Sequence, residues 1–166
     1  MKKLIIPSTI SLSTINDFSL MQISSYIIIK LVQQRLISTR YSSTQSQTCA
    51  YRGDRGFKCA VGHCISDDEY SVRMEEHTVA DLINPTYCEQ NDISTRIHNL
   101  FKNIDTKKAR LLEHFQNIHD NASADEWISF NIPGLLESLS NWFDEQELSA
   151  IRSAVAYHIH TQSQMA

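Results

Sequence analysis

Three of the four glycines and three of the four cysteines of this 166-residue chain fall in one stretch, CAYRGDRGFKCAVGHC, residues 49–64. Glycine is what lets a backbone reverse tightly, so the rest of the chain has only Gly134 and three prolines with which to turn. Helices joined by short polar connections are the expected outcome there. Within the stretch, Gly53-Asp54-Arg55-Gly56 suits a tight reversal between two short strands, CAYR and FKCAV. The expected fold is therefore α+β: a single, mostly helical domain with one small β-hairpin, 49–64, packed on the helices.

Composition narrows the function classes. A chain of this length builds one core without staples, and 42% hydrophobic and 20% charged residues describe an ordinary globular domain. The net charge of -4 and pI near 5.9 give no general attraction to phosphate backbones, so nucleic acid is a disfavoured partner without a local basic patch. The densest basic run, Lys107-Lys108 and Arg110, lies beside Asp105 and Glu113 and reads as the solvated face of a helix. MKKLIIPSTISLST imitates a secretion signal, but Pro7 and the Ser/Thr positions break its apolar run. SYIIIKLV is stopped by Lys30, Gln33, Gln34 and Arg35 well short of the roughly 20 residues that span a bilayer, so no membrane association is expected. The cytoplasm is the expected compartment, and there cysteines stay reduced and serve packing, metal binding or catalysis.

Along the chain, residues 1–13 read as a flexible start. Thr14 and Asp17 resemble a capping box before an amphipathic helix over 14–38, with Ile15, Phe18, Met21, Ile28, Val32 and Leu36 at helical spacing. The Ser/Thr-rich segment 39–48 reads as a linker to the hairpin. A short helix over 77–83 is expected to end at Asn84-Pro85. A helical block then fills 91–163: Asp92 and Asp105 can cap its first two helices, Ser123 precedes a short acidic turn with Trp127, Pro133 suits the first turn of a helix through Trp142, and the run DEQE, 144–147, opens the last helix.

Two stretches carry a resemblance. C-A-Y-R-G-D-R-G-F-K-C-A-V-G, Cys49 to Gly62, and F-Q-N-I-H-D with a following tryptophan, Phe115 to Trp127, resemble the two signatures of a functionally uncharacterised family of small phage, prophage and plasmid proteins. The likeness covers roughly residues 45 to 130. The chain departs from it at Cys64-Ile65-Ser66-Asp67, where such proteins tend to continue LIPD, and at Glu75-Glu76, where they tend to carry Glu-Gly. The resemblance implies an origin on a mobile element and a host-facing or replication-related task, and it implies no reaction.

The residues suited to chemistry cluster around these stretches. Cys49 and Cys59 would face each other across the hairpin, with His63 a step beyond and His119, Asp120 or Cys88 as a fourth partner, which is the inventory of a zinc site. Only Cys59 and His63 have the short spacing that structural zinc sites favour, so the preferred reading has the cysteines as small buried hydrophobes and no cofactor, with zinc as the alternative. A second candidate chemistry uses a cysteine as nucleophile, His119 as base, and Asp120 or Gln116 as its orienter. The pair His119-Asp120 also resembles that of HD metal phosphohydrolases, with His98 and Asp144 as further members. Arg52 and Lys58, flanking the turn, are candidate contacts for an anionic ligand, with Gln116 as a further ligand contact.

The function expected from these readings is that of a non-enzymatic accessory protein of a phage or mobile element. It would bind a host or phage protein or a small ligand, interference with host defence being one concrete form. The alternative is a small metal- or thiol-dependent hydrolase using Cys49, Cys59, His63 and His119.

Overall fold

The computed structural model describes residues 4–34, 39–41, 47–121 and 132–163, of which 39–41, 47–49, 121, 132–133 and 162–163 are described by backbone alone. Its elements are α1 (Leu20–Gln34), β1 (Thr39–Tyr41), β2 (Gln47–Cys49), α2 (Val79–Ile83), α3 (Pro85–Gln90), α4 (Thr95–Lys102), α5 (Thr106–Asn121), α6 (Ile132–Ser138) and α7 (Glu145–Ser163). Helix α1 is the centre of the molecule. It packs on α5, α6 and most extensively on α7, while α2 packs on α3, α4 and α5. No helix among the described residues is long and apolar enough to cross a membrane.

The helix starts follow local side-chain chemistry. Helix α1 opens with a Ser19/Gln22 capping box: Gln22 N–H donates to Ser19 Oγ at 3.2 Å and Ser19 N–H to Gln22 Oε1 at 3.0 Å. Thr14, the expected cap, instead precedes a 3-10 turn at Ile15–Asp17 and makes no side-chain cap bond. The reciprocal box recurs at Thr78/Asp81 before α2 and at Asp144/Glu147 before α7. Asn84 accepts the N–H groups of Thr86 and Tyr87, so Pro85 begins α3 as well as ending α2. Ser94, not Asp92, caps α4. Asp105 Oδ1 accepts Lys107 N–H at 3.0 Å as α5 begins.

Seven consecutive residues of α1, Ile23 to Ile29, are buried, so the helix is enclosed on every face instead of showing one apolar stripe. That explains its apolar run SYIII. Each fully buried isoleucine contributes about 1.5–3 kcal/mol of transfer free energy, and among the described residues α1 brings more buried apolar side chains to the core than any other helix.

The expected β-hairpin over 49–64 is not formed, and the architecture is all-α in class. Strand structure among the described residues is confined to the three-residue ribbon β1–β2, in which Cys49 pairs with Thr39 and not with the Cys59 side of the turn. The segment read as a linker, 39–48, thus contributes β1 and the first two residues of β2. Across Gly53–Gly56 the chain does reverse, but with one isolated bridge, Arg52 to Lys58. The physical reason lies in who takes the backbone donors. Tyr51 and Arg52 N–H go to the Glu75 carboxylate, and Lys58 N–H goes to the Gln34 side chain. Side chains replace the strand partner, and after Lys58 the chain turns into a 3-10 segment, Gly62–Cys64.

Candidate functional site

Residues 50–65 form a loop fixed at three points. Glu75, nearly buried, accepts Tyr51 N–H at 2.9 Å, Arg52 N–H at 3.0 Å and the Tyr70 hydroxyl at 2.8 Å. Gln34, at the end of α1, accepts Lys58 N–H at 2.8 Å and returns its own N–H to Lys58 O at 2.9 Å, as a strand partner would. Third, the backbone of Gly62 crosses directly over Tyr51: a Cβ at position 62 would lie 2.0 Å from Tyr51 O, so only glycine fits. The turn itself uses left-handed backbone at Arg55 (φ 62°) and Gly56 (φ 79°), closed by Gly53 N–H on Phe57 O at 2.9 Å.

Beneath the loop lies a buried polar network. Tyr51 hydroxyl donates to His77 O at 2.7 Å and receives Gln116 Nε2 at 3.4 Å, while Gln116 Oε1 accepts Val79 N–H at 3.1 Å. Gln116 therefore ties α5 to the start of α2 and to the loop, and its amide is spent there instead of facing a surface ligand. Burial, reinforced by the nearby Cys59 thiol, holds the Tyr51 phenol well above its ordinary value. A second buried carboxylate, Glu69, accepts Leu12, Ser13 and Ser66 N–H at 3.1, 2.9 and 3.0 Å. Burial alone would raise its pKa, but the hydrogen bonds from Ser13 and Ser66 outweigh burial and hold it below the usual range.

The candidate reacting groups are placed as follows. Cys59 is buried, its Sγ accepts Gly62 N–H at 3.3 Å, and burial followed by the negative charges of Asp120 and Glu75 pushes its thiol up. Cys64 is buried and pushed up to about 12, first by burial and then by Glu69. His119 is fully buried on α5, with Nδ1 3.4 Å from Asp120 Oδ1. His63 is lowered to about 3 by burial and then by the cations Lys58 and Lys30, with His119 near enough to add to the effect. Cys59, His63, His119 and Asp120 thus share a neighbourhood. Among the described residues no three His, Cys, Asp or Glu side chains converge on a metal-binding point, and the Cys49 side chain lies outside those residues.

The remaining candidates lie apart. Cys88 is buried near His98, Sγ to Nδ1 3.7 Å, but His98 Nδ1 also lies 3.0 Å from Leu82 O and so carries the proton. It cannot accept the thiol proton at that nitrogen. The Cys88 thiol is itself raised, first by burial and then by Asp81. Asp144 is occupied as the cap of α7.

On the outer side of the loop sit the cations. Arg52 Nη2 meets Asp67 Oδ1 at 2.7 Å and donates to Ile65 O at 3.1 Å, with the guanidinium 4.4 Å from the Tyr70 ring centroid. Lys58 Nζ lies 3.9 Å from the same Asp67 oxygen. Partial burial, then Arg52, lowers the Lys58 pKa, and Lys30 from α1 adds to the repulsion. Sequence reasoning singled out Arg52 and Lys58 as anion contacts but gave Glu75 and Gln34 no role as backbone acceptors and Asp67 none as their ion-pair partner, because those partners lie apart in the chain.

No family model, no curated protein and no solved structure matches this chain.

Proposed function

We propose that the chain is a non-enzymatic accessory protein of a phage or other mobile element, acting by binding a host or phage protein or a small ligand. Interference with host defence is one concrete form of that task. The mobile-element origin rests on the resemblance of residues 49–62 and 115–127 to phage and plasmid proteins. The host cytoplasm is the compartment that goes with it, since it keeps thiols reduced.

One observation carries the binding role: the loop over 51–65 is sorted by chemistry. Its thiols, Cys59 and Cys64, point into the core and are raised, while Arg52 and Lys58 remain partly exposed on a backbone pinned by Glu75 and Gln34. A nucleophilic thiol needs the reverse, a lowered pKa and access. The acidic balance of the whole chain suits a protein or small-ligand partner better than a nucleic-acid track.

The test is bound metal in the purified protein together with titration of its thiols. The binding reading expects no stoichiometric metal and slow reaction at Cys59, Cys64 and Cys88. Stoichiometric zinc, or one thiol titrating well below the ordinary cysteine value, would overturn it in favour of the small metal- or thiol-dependent hydrolase centred on Cys49, Cys59, His63 and His119.

A further inference from the structure

Arg52 and Lys58 do not simply lie near one another; both address one point in space. Asp67 Oδ1 occupies that point, 2.7 Å from Arg52 Nη2 and 3.9 Å from Lys58 Nζ. The two cations are held in place, their side chains 21% and 31% exposed, whereas the Asp67 side chain is 87% exposed. Its only ion-pair partners among the described residues are these two. Such a carboxylate gives up little when it swings into water.

It also fits the site incompletely. The Nε and Nη2 hydrogens of an arginine form one side-on fork that a multi-oxygen anion can take at both prongs. Here Nη2 is taken, while Nε is buried with no hydrogen-bond partner. A phosphoryl dianion has three oxygens, enough for both prongs of the fork and for Lys58 together. Lys30 from α1 adds a further positive charge, near enough to Lys58 to help lower its pKa.

We propose that Arg52 and Lys58 form a subsite for the phosphoryl group of a small phosphomonoester, and that Asp67 is a built-in competitor that fills it until the ligand displaces it. The subsite rests on the binding role proposed above and names the ligand chemistry for it. A nucleic-acid backbone is the poorer occupant, because the cations cluster at one turn and form no track. A ligand carboxylate is poorer too, since it would only repeat what the tethered Asp67 supplies at higher effective concentration.

The experiment is amide chemical-shift titration of the full-length protein with inorganic phosphate, phenyl phosphate and a short oligonucleotide lacking terminal phosphate, at constant ionic strength. Saturable shifts at Arg52, Lys58 and Asp67 with phenyl phosphate are expected. Lys58→Gln should weaken binding by roughly tenfold. Asp67→Asn, which removes the competitor and leaves the cations in place, should tighten it several-fold. Because Arg52 also braces Ile65 and Tyr70, Lys58 and Asp67 carry the test. The subsite is overturned if no saturable shift occurs, if Asp67→Asn binds no tighter, or if the oligonucleotide saturates the site and phenyl phosphate does not. The thiol titration is independent of these outcomes: slow thiols with no phosphate binding leave the accessory-protein reading standing and remove only the subsite.

Discussion

Replacing Glu75 by glutamine tests what holds the loop. Oε1 accepts Arg52 N–H at 3.0 Å and Tyr70 hydroxyl at 2.8 Å, and Oε2 accepts Tyr51 N–H at 2.9 Å. Hydrogen bonds to a charged group contribute about 1.5–3 kcal/mol each, roughly twice the neutral value. Glutamine keeps one oxygen acceptor, so two bonds survive in weakened form. Its NH2 then faces the buried Tyr51 N–H, which loses its acceptor at a cost of about 1–3 kcal/mol. Together these give a loss of about 3–4 kcal/mol, a large share of the stability of a single domain. With an m-value of about 2 kcal/mol/M, the urea midpoint should fall by about 1.5–2 M. Equilibrium urea unfolding followed by tryptophan fluorescence measures this, with the exposed neighbour Glu76→Gln as a control expected within about 0.5 kcal/mol of the parent. A Glu75→Gln midpoint indistinguishable from that control would refute the view that a buried carboxylate replaces the missing strand partner.

Other expectations follow from the same geometry. Gly62→Ala must move the backbone at Tyr51 and should cost about 3 kcal/mol, whereas Gly56→Ala has open space and meets only left-handed strain of about 1–2 kcal/mol; thermal melts should keep that order. His63, lowered to about 3, binds fewer protons folded than unfolded between that value and the ordinary histidine value of about 6.5, so stability falls as pH drops through this window. His63→Phe should flatten that slope in urea titrations from pH 7 to 4, and an unchanged slope would contradict the burial of the ring. Glu69, held below its usual value, contributes stability that is complete above the unfolded carboxyl pKa of about 4.3 and is lost as pH falls through the folded one. Glu69→Gln should therefore destabilise at pH 7 and converge on the parent in acid. Equal destabilisation at both pH values would count against the Glu69 clamp.

Much of the helical pattern was legible because it depends on neighbours in sequence. Asp105 and the Asp144-Glu147 pair mark helix starts by short-range rules, Asn84-Pro85 ends α2 as expected but also starts α3, and Ser19-Leu-Met-Gln22 carries the capping-box signal for α1 that Thr14 only imitates. The turn at Gly53–Gly56 was legible for the same reason. The hairpin was not, because its fate depends on Glu75 and Gln34, which lie 24 residues away on either side of their partners and compete for the same N–H groups. Local strand propensity carries no information about such competitors. The candidate site was legible only as residue types: Asp120 acts on Cys59 and His119 on His63, but no three such side chains converge among the described residues. Which of them faces inward, and that Arg52 and Lys58 share one carboxylate, are consequences of how the loop crosses itself at Gly62.

Both the binding role and the phosphoryl subsite require the loop to be a rigid platform pinned by side chains. Native-state hydrogen exchange of the Tyr51, Arg52, Lys58 and Gly62 amides measures this directly, because their acceptors are Glu75, Gln34 and the Cys59 sulfur. Protection approaching that of the α1 core amides is expected at Tyr51 and Lys58. Exchange of those two amides at rates near those of an unstructured chain would contradict it.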